Sequence, residues 1–509
     1  FKQDTLSYHT LQESVDRVAS GLRALGVQRD ERIGVYLPKQ FETVTTMFGS
    51  MAAGGVFVPI NPILKPEQVG HILRDCATKI LVTSPDRARL LSDTLAECPD
   101  LTQVVVTGKD EPDRAQEHQV PVCNWDQMLD QAQTRQPELR RIDSDMAAIL
   151  YTSGSTGRPK GVVLSHRNML AGAESVASYL HNRADDRLLA VLPFSFDYGL
   201  SQLTTAFLHG ASVVLMDYLL PRDVIRAVAR YRVTGLAAVP PLWNQLADLP
   251  WPEEAVDCLR YITNSGGAMP VATTEQLQAA LPNTDIFLMY GLTEAFRSTY
   301  LAPDLVASRP ESMGKAIPNA DIMVVRPDGS ECAADEPGEL VHRGALVALG
   351  YWGDREKTDI RFKPAPGLPE GLPNPEIAVW SGDQVRRDAD GYLYFIGRND
   401  EMIKTSGYRV SPGEIEEVIF DMPGVQQAVA FGAQHPQLGN GIVLVVQTDS
   451  TSPDIDAVLA HCRVHLPMFM LPGHVEIVSD LPRNPNGKID RKALSQQFAQ
   501  IFTGSEGDA

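Results

Sequence analysis

Residues 151–161 read YTSGSTGRPKG, a run of small, hydroxylated, Gly, Pro and cationic residues between MAAILY (146–151) and GVVLSH (161–166). The flanks constrain the fold. Both are short apolar runs that read as buried strands, so the Gly/Ser/Thr stretch is a loop held between strands and not a solvated linker. Such a loop turns backbone N–H groups, hydroxyls and one ammonium toward a common point. That is the chemistry of an anion cradle, with phosphate as the usual guest. Two known loops do not fit. The Walker pattern fails because Pro159 stands where the second Gly is needed after Gly154, and the hydrolase elbow fails because Ser153 takes the first Gly position before Ser155.

At 509 residues the chain is too long for one ordinary core, so two or more domains are expected. Helix and strand signals alternate over residues 6–83: LQESVDRVASGLRALGV (11–27) and FETVTTMFGSMAAGG (41–55) have helical spacing, while RIGVYLP (32–38) and TKILVTS (78–84) read as strands. Further strands are predicted at LLAVLP (188–193), SVVLM (212–216), GLAAVP (235–240) and IFLMYG (286–291), a rhythm that predicts a doubly wound sheet. From about residue 311 the pattern changes to short strands with turns, at 321–330, 338–344 and 392–398, which predicts an antiparallel β-subdomain. KPAPGLPEGLPNP (363–375) reads as a surface loop, more readily an ordered decoration than a flexible lid. After 398 a small α/β module follows: a helix at 412–420, strands at 427–433, 441–448 and 474–480, and a helix near 454–464.

Net charge is −19, from 45 basic and 64 acidic residues, which argues against a nucleic-acid surface and leaves room for ATP at a local positive site. The six cysteines lie far apart without a C-x-x-C pair and read as buried thiols of a reducing compartment. No apolar run approaches the roughly 18 residues of a membrane span. The chain starts at Phe1 without a methionine, so a few upstream residues are expected; no signal-peptide pattern is visible, and a cytoplasmic location is the expectation.

Four more segments join the loop in a fixed order: NSGGAMP (264–270), YGLTEAF (290–296), WSGDQVRRDADGYLYFIGR (380–398) with NDEMIKTSGYRVSPGEIE (399–416) after it, and PNGKIDRKAL (485–494). Together they resemble the adenylate-forming (AMP-binding) superfamily of acyl-CoA synthetases, amino-acid adenylation domains and beetle luciferases. The resemblance runs from SYHTLQ near residue 7 to Leu494. It implies an α/β fold: a large N-terminal ATP- and acyl-binding domain of doubly wound mixed sheets (1–398, with the antiparallel β-subdomain at about 311–398), a hinge at 399–401, and a small mobile C-terminal α/β domain (402–509).

Site roles follow from the same resemblance, position by position. Thr152, Ser153, Gly154, Ser155, Thr156, Gly157 and Lys160 would hold phosphate. Thr293 would contact the α-phosphate and Glu294 would help hold Mg²⁺; taken alone, a Thr-Glu pair after a strand is more often a helix cap than a metal site. Gly266, Gly267 and Ala268 would wall the adenine beside Tyr290; paired glycines let backbone lie flat against a base. Asp383 and Arg398 match ribose-binding residues, and a carboxylate can accept from both hydroxyls of a diol. Asp400 matches the hinge and Gly407 the pantetheine tunnel, while Lys404 and Arg409 read equally as solvated charge. Lys488 matches the catalytic lysine, a mobile cation suited to the charge that spreads over the phosphoryl oxygens in the transition state.

The implied reaction joins a carboxylic acid to a thiol: MgATP and the acid give an acyl-adenylate and pyrophosphate, then coenzyme A or an acyl carrier protein takes the acyl group and AMP leaves. ATP, Mg²⁺ and the co-substrate CoA are the implied ligands, and a monomer or homodimer the expected state. Pocket walls are expected near Phe196, Asp197, Tyr198, Ser201, Val239, Trp243, Ser265 and Met289. LPFSFDYG (192–199) has Phe196 where many acyl-CoA synthetases carry His. Its Phe-Asp is similar to amino-acid adenylation domains, in which the Asp pairs with a substrate ammonium; the alternative for Asp197 is a polar neighbour or water. YGLTE and a chain end without an attached carrier domain favour an acyl-CoA ligase. FSFDYGLSQLTTAF with YGLTEAFRSTYL is further similar to the exosortase A system-associated acyl-CoA ligase subgroup. The alternatives are a free-standing amino-acid adenylating enzyme loading CoA or a carrier protein, a luciferase-like oxygenase, and a non-catalytic acyl- or nucleotide-binding protein.

Overall fold

Alternating helices and strands build the first of three sheets in the computed structural model of the protein, which describes residues 4–108, 120–132, 139–152, 159–369, 371–398, 402–448, 453–482 and 489–503. The first sheet has eight strands in the order Gly350–Tyr351, Lys160–Ser165, Met146–Thr152, Val56–Pro59, Arg32–Tyr36, Thr78–Thr83, Gln103–Val106, Val122–Asn124. From Met146–Thr152 to Val122–Asn124 every pairing is parallel, and the central strands are apolar at nearly every position because helices cover both faces. Met146–Thr152 and Lys160–Ser165, the strands predicted on either side of the Gly/Ser/Thr stretch, pair antiparallel with Thr152 opposite Lys160.

The second sheet begins parallel, in the order Ser212–Leu215, Arg187–Ala190, Gly235–Ala238, Tyr261–Asn264, Asp285–Tyr290. Next to Asp285–Tyr290 the direction reverses. Thr299–Leu301 pairs antiparallel with it, and Ser312–Ala316, Leu393–Arg398, Ile377–Arg387, Gly338–Gly344 and Ala320–Val325 follow, all antiparallel. The expected β-subdomain is thus hydrogen-bonded onto the parallel sheet through Thr299–Leu301. The Pro/Gly-rich stretch starts inside a strand, since Phe362–Pro364 pairs with Ile377–Arg387, and then turns at the surface.

One apolar core spans both sheets, from Phe57 and Leu150 in the first to Leu188, Trp243 and Val379 in the second. Each fully buried Leu, Ile or Phe side chain contributes about 1.5–3 kcal/mol to such a core. Residues 345–352 stitch the sheets together with polar contacts. Asn168, in the first turn of the helix His166–Leu180, donates to the carbonyls of Ala345 and Val347. The amides of Ala348, Leu349 and Trp352 bond the carbonyls of Glu294, Val163 and Gly161. This crossing brings Tyr351 beside Lys160 and Glu294.

The C-terminal module has its own sheet and core. Gly439–Thr448 pairs antiparallel with Val425–His435 and parallel with His474–Val478, and the hairpin Ile403–Thr405/Tyr408–Val410 joins its edge. The helices Pro412–Phe420 and Ile455–His465 pack on it. Arg491 forks onto Glu416 with two hydrogen bonds of 2.6 and 2.7 Å, a geometry that fixes the last helix, Arg491–Gln497. Among the described residues no helix is long and apolar enough to cross a membrane, and the six cysteines are unpaired.

Candidate active site

The chain reversal after Asp285–Tyr290 creates the site. At the C-terminal end of a parallel strand, beside the strand where direction changes, an open α/β sheet leaves a crevice for ligand. There Thr293–Ala295 forms one 3₁₀ turn, and Thr293, Glu294 and Arg297 are all buried. Glu294 Oε1 accepts from the Tyr351 hydroxyl at 2.6 Å and lies 3.6 Å from Lys160 Nζ, which itself donates to the Tyr351 oxygen at 2.6 Å. Burial pushes the Glu294 carboxyl up, but Lys160, Arg409 and the Tyr351 hydroxyl outweigh it and bring it down to about 2. Burial pushes the Lys160 ammonium down to about 8, with Arg409 and Arg361 adding to the fall and Glu294 opposing it. Lys160 and Arg409 act on this carboxylate and Arg361 on Lys160 and Tyr351, which leaves the corner positive.

Glu294 Oε2 and Thr152 Oγ1 are buried here without a hydrogen bond among the described residues. An unmatched carboxylate oxygen fits Mg²⁺, a hard cation usually held by one or two carboxylates plus phosphate oxygens. An unmatched threonine hydroxyl at the end of its strand is a donor for a phosphate oxygen. Among the described residues no group of three or more His, Cys, Asp or Glu side chains forms a metal centre. Ser153, Gly154, Ser155, Thr156 and Gly157, expected to cradle phosphate, lie outside the described residues, as do Asp400 and Lys488.

Thr293 connects this corner to a second crevice. Its hydroxyl donates to Asp197 Oδ1 at 3.3 Å. Asp197 opens the helix Asp197–Leu208 and is 3% exposed. Burial pushes its carboxyl up to about 6, against the pull of the Arg297 charge and the Thr293 hydroxyl. Beyond it lies a small cavity lined by Tyr198, Ser201, Gln202, Thr205, Met289 and Arg297, with room for about one water. Of the expected pocket walls, Tyr198, Ser201 and Met289 line this cavity, and Ser265 reaches its edge by accepting from Arg297 Nη1 at 2.6 Å. Trp243 does not. It is wholly buried behind the wall, its indole N–H bonded to the carbonyls of Ala238 and Thr263, which is where an indole that large satisfies its donor in a core.

The expected nucleotide side is assembled from three strands. Tyr290 donates its hydroxyl to Asp383 Oδ2 at 2.5 Å, so the residues assigned to adenine and ribose touch each other. Arg398 stands opposite Asp383 in the strand register. Gly266 and Gly267 follow Tyr261–Asn264, where the Asn264 amide holds the Gly267 carbonyl at 3.0 Å and Ala268 is exposed. Gly266 has φ +82°, and a β-carbon there would fall 3.3 Å from Val239, 3.7 Å from Phe196 and 3.9 Å from the Gly407 carbonyl. Gly407 belongs to the C-terminal module. The hairpin that carries it therefore leans into the crevice between the modules, and Arg409, two residues on, acts on Lys160, Glu294 and Tyr351. Lys404 faces the Phe395 ring instead, 5.6 Å from its centroid.

Three residues of the site lie outside the set expected from the sequence. Tyr351 sits in a two-residue strand with no local signal of function. Arg409 reads from sequence equally as surface charge. Arg297 does carry a signal: it stands directly behind YGLTEAF, and a cation beside a buried strand end needs a reason.

Residues 1–352 match the AMP-binding enzyme family, and residues 414–488 match the AMP-binding enzyme C-terminal domain. The chain is 31% identical over 509 residues to L-proline--[L-prolyl-carrier protein] ligase of Pseudomonas fluorescens, covering 97% of this chain and 95% of that protein. It is 27% identical over 512 residues to gramicidin S synthase 2 of Aneurinibacillus migulanus, a match that covers 99% of this chain but only 11% of that much longer protein. Among solved structures, an o-succinylbenzoate CoA synthetase from Bacillus subtilis superposes with a TM-score of 0.82 at 23% identity, covering 97% of this chain and 94% of that one. That likeness is one of fold.

Proposed function

This chain belongs to the AMP-binding, adenylate-forming enzyme family, and we propose that within it the protein is an AMP-forming acyl-CoA ligase. The observation that carries the reading is the Thr293–Asp197 hydrogen bond, which joins the cationic corner to the acyl cavity. An acid entering beside Asp197 presents its carboxylate next to Thr293, whose hydroxyl would turn its one proton from Asp197 to the α-phosphate of ATP, while the cavity beyond, with room for about one water, takes at most the acid's far end. Carboxylate attack on the α-phosphorus then forms the acyl-adenylate and expels pyrophosphate. Lys160, Arg409 and Thr152 meet the growing negative charge on the departing oxygens. Glu294 would hold Mg²⁺, which when bound neutralises the phosphates. Tyr351 fixes the Glu294 carboxylate through Oε1 and leaves the second oxygen for that ion.

In the second half a thiol attacks the mixed anhydride and AMP leaves. No side-chain nucleophile is needed, because the adenylate is already activated. Because Gly407 has no side chain, the C-terminal hairpin can close on Val239 and Gly266, and this backbone would line the path of a pantetheine arm to the acyl carbonyl.

A free-standing amino-acid ligase is the second reading, favoured by the carboxylate at Asp197. Arg297 weighs against it. The guanidinium already acts on Asp197, so the pair is close to neutral and a substrate ammonium would meet a buried cation beside its acceptor.

Acid-dependent pyrophosphate release with hydroxylamine trapping tests the proposal, using MgATP without CoA and two panels: aliphatic or aryl acids, and amino acids. Release with the first panel, and a thioester on adding CoA, is the expected result. Release with amino acids alone, lost in Asp197→Ala, would move the protein to the aminoacyl branch. Silence with both panels would overturn the ligase reading itself.

A further inference from the structure

Arg297 holds more buried hydrogen-bonding capacity than adenylation uses. The residue is 2% exposed; Nη1 donates to Ser265, but Nε and Nη2 have no partner among the described residues. Its guanidinium packs 4.7 Å over the Tyr198 ring and lines the cavity. A guanidinium cannot shed its charge to escape burial, so those two N–H groups need an acceptor. Asp197 does not supply one, since its charge acts on Arg297 while Nε and Nη2 stay unbonded.

Two further features aim at the same space. The chain enters Arg297 through Phe296, a fully buried aromatic at φ 59° and ψ −65°, closed by the Arg297 amide on the Ala295 carbonyl at 2.6 Å. That three-residue turn is rare and strained for a bulky residue, and it delivers Arg297 to the cavity wall. The helix Asp197–Leu208 lines the same cavity with Tyr198, Ser201, Gln202 and Thr205. Their spacing puts four hydroxyl or amide side chains in one stripe on a buried face. The rest of the lining includes Val176, Leu180 and Met289, so the cavity is polar on the side of this helix and Arg297, and a plain hydrocarbon chain reaching it would leave Arg297 unpaired.

We infer that the acid activated by this enzyme carries a second anionic group, a carboxylate or similar oxyanion, which accepts hydrogen bonds from Nε and Nη2 of Arg297. The inference rests on the acyl-ligase reading and names its substrate class: short dicarboxylic acids or their aryl equivalents. Arg297 is then the specificity-determining residue, with Ser201 and Gln202 at the same end of the substrate.

Matched pairs test it, with ATP–pyrophosphate exchange measured on the full chain: succinate against butyrate, glutarate against valerate, phthalate against benzoate. The wild type is expected to prefer the diacid in at least one pair by roughly 10- to 100-fold in kcat/KM, the size of a charge-assisted contact. Arg297→Met should reverse that preference and Arg297→Lys should keep part of it. Exchange only with the monoacids, or equal exchange within every pair, would overturn the inference and leave the ligase reading intact. No exchange with any acid, amino acids included, would overturn both. If Arg297→Met does not fold, the wild-type ratios alone decide.

Discussion

Gly407 lies so close to Val239 that a β-carbon on it would meet the valine side chain at 2.9–3.0 Å, across the gap between the two modules. Its φ of +80° also excludes most side chains at low cost. Gly407→Val should therefore push the C-terminal hairpin out of the crevice. Thioester formation is expected to fall at least tenfold while acid-dependent pyrophosphate release stays within about threefold; single-turnover assays of each half-reaction make the comparison. Equal loss in both halves would place Gly407 outside the thiol route.

Lys488 is expected to do the opposite. Lys488→Ala should abolish adenylation and largely spare thioester formation from a supplied acyl-adenylate. A variant that loses both halves equally would undo the role assigned to this residue.

The pH dependence of the first half should report Lys160. Burial leaves its ammonium at about 8, so the positive charge is present at neutral pH and lost as pH rises through that value. The kcat/KM for ATP is expected to decline above about pH 8 with the loss of one proton. Lys160→Arg, whose charge persists, should be slower but flat through the same range.

Asp197 makes a prediction about stability. Its carboxyl stands at about 6 in the folded protein, raised by burial from 3.8. A raised carboxyl gives stability that is full below pH 3.8 and is lost as pH climbs through 6, so at pH 7 the ionised residue is a burden. The shift corresponds to about 3 kcal/mol. Asp197→Asn should raise the thermal midpoint at pH 7 and lose that advantage near pH 4. A variant less stable at pH 7 would mean that the charge of Arg297 depends on Asp197 for its burial.

Much of the fold is legible in the sequence because its signals are local. The helices Tyr8–Ala24 and Phe41–Ala52 and the apolar strands after them follow from spacing alone. Val56–Pro59 is hard to read because it follows a helix directly through two glycines and is only four residues long. The joining of the antiparallel strands to the parallel sheet is not legible, because it depends on Thr299–Leu301, three residues that pair on both sides. In the site, Thr293, Glu294, Lys160 and Asp383 sit in dense motifs. Tyr351 arrives from far along the chain by a stitch of backbone hydrogen bonds, and no spacing rule could place it beside Glu294. Trp243 poses a related problem: a large aromatic near a crevice reads the same whether it faces the ligand or the core.

The continuity of the second sheet sets an order of events during synthesis. Ser312–Ala316 pairs on one side with Thr299–Leu301, which leaves the ribosome just ahead of it, and on the other with Leu393–Arg398, which emerges much later. At typical elongation rates that second partner is missing for on the order of ten seconds. For that interval the nascent protein shows an open strand edge at the centre of its largest sheet, the feature that most readily recruits another chain. The nascent domain is thus most in need of a chaperone after its parallel half is made and before residue 398 has cleared the exit tunnel.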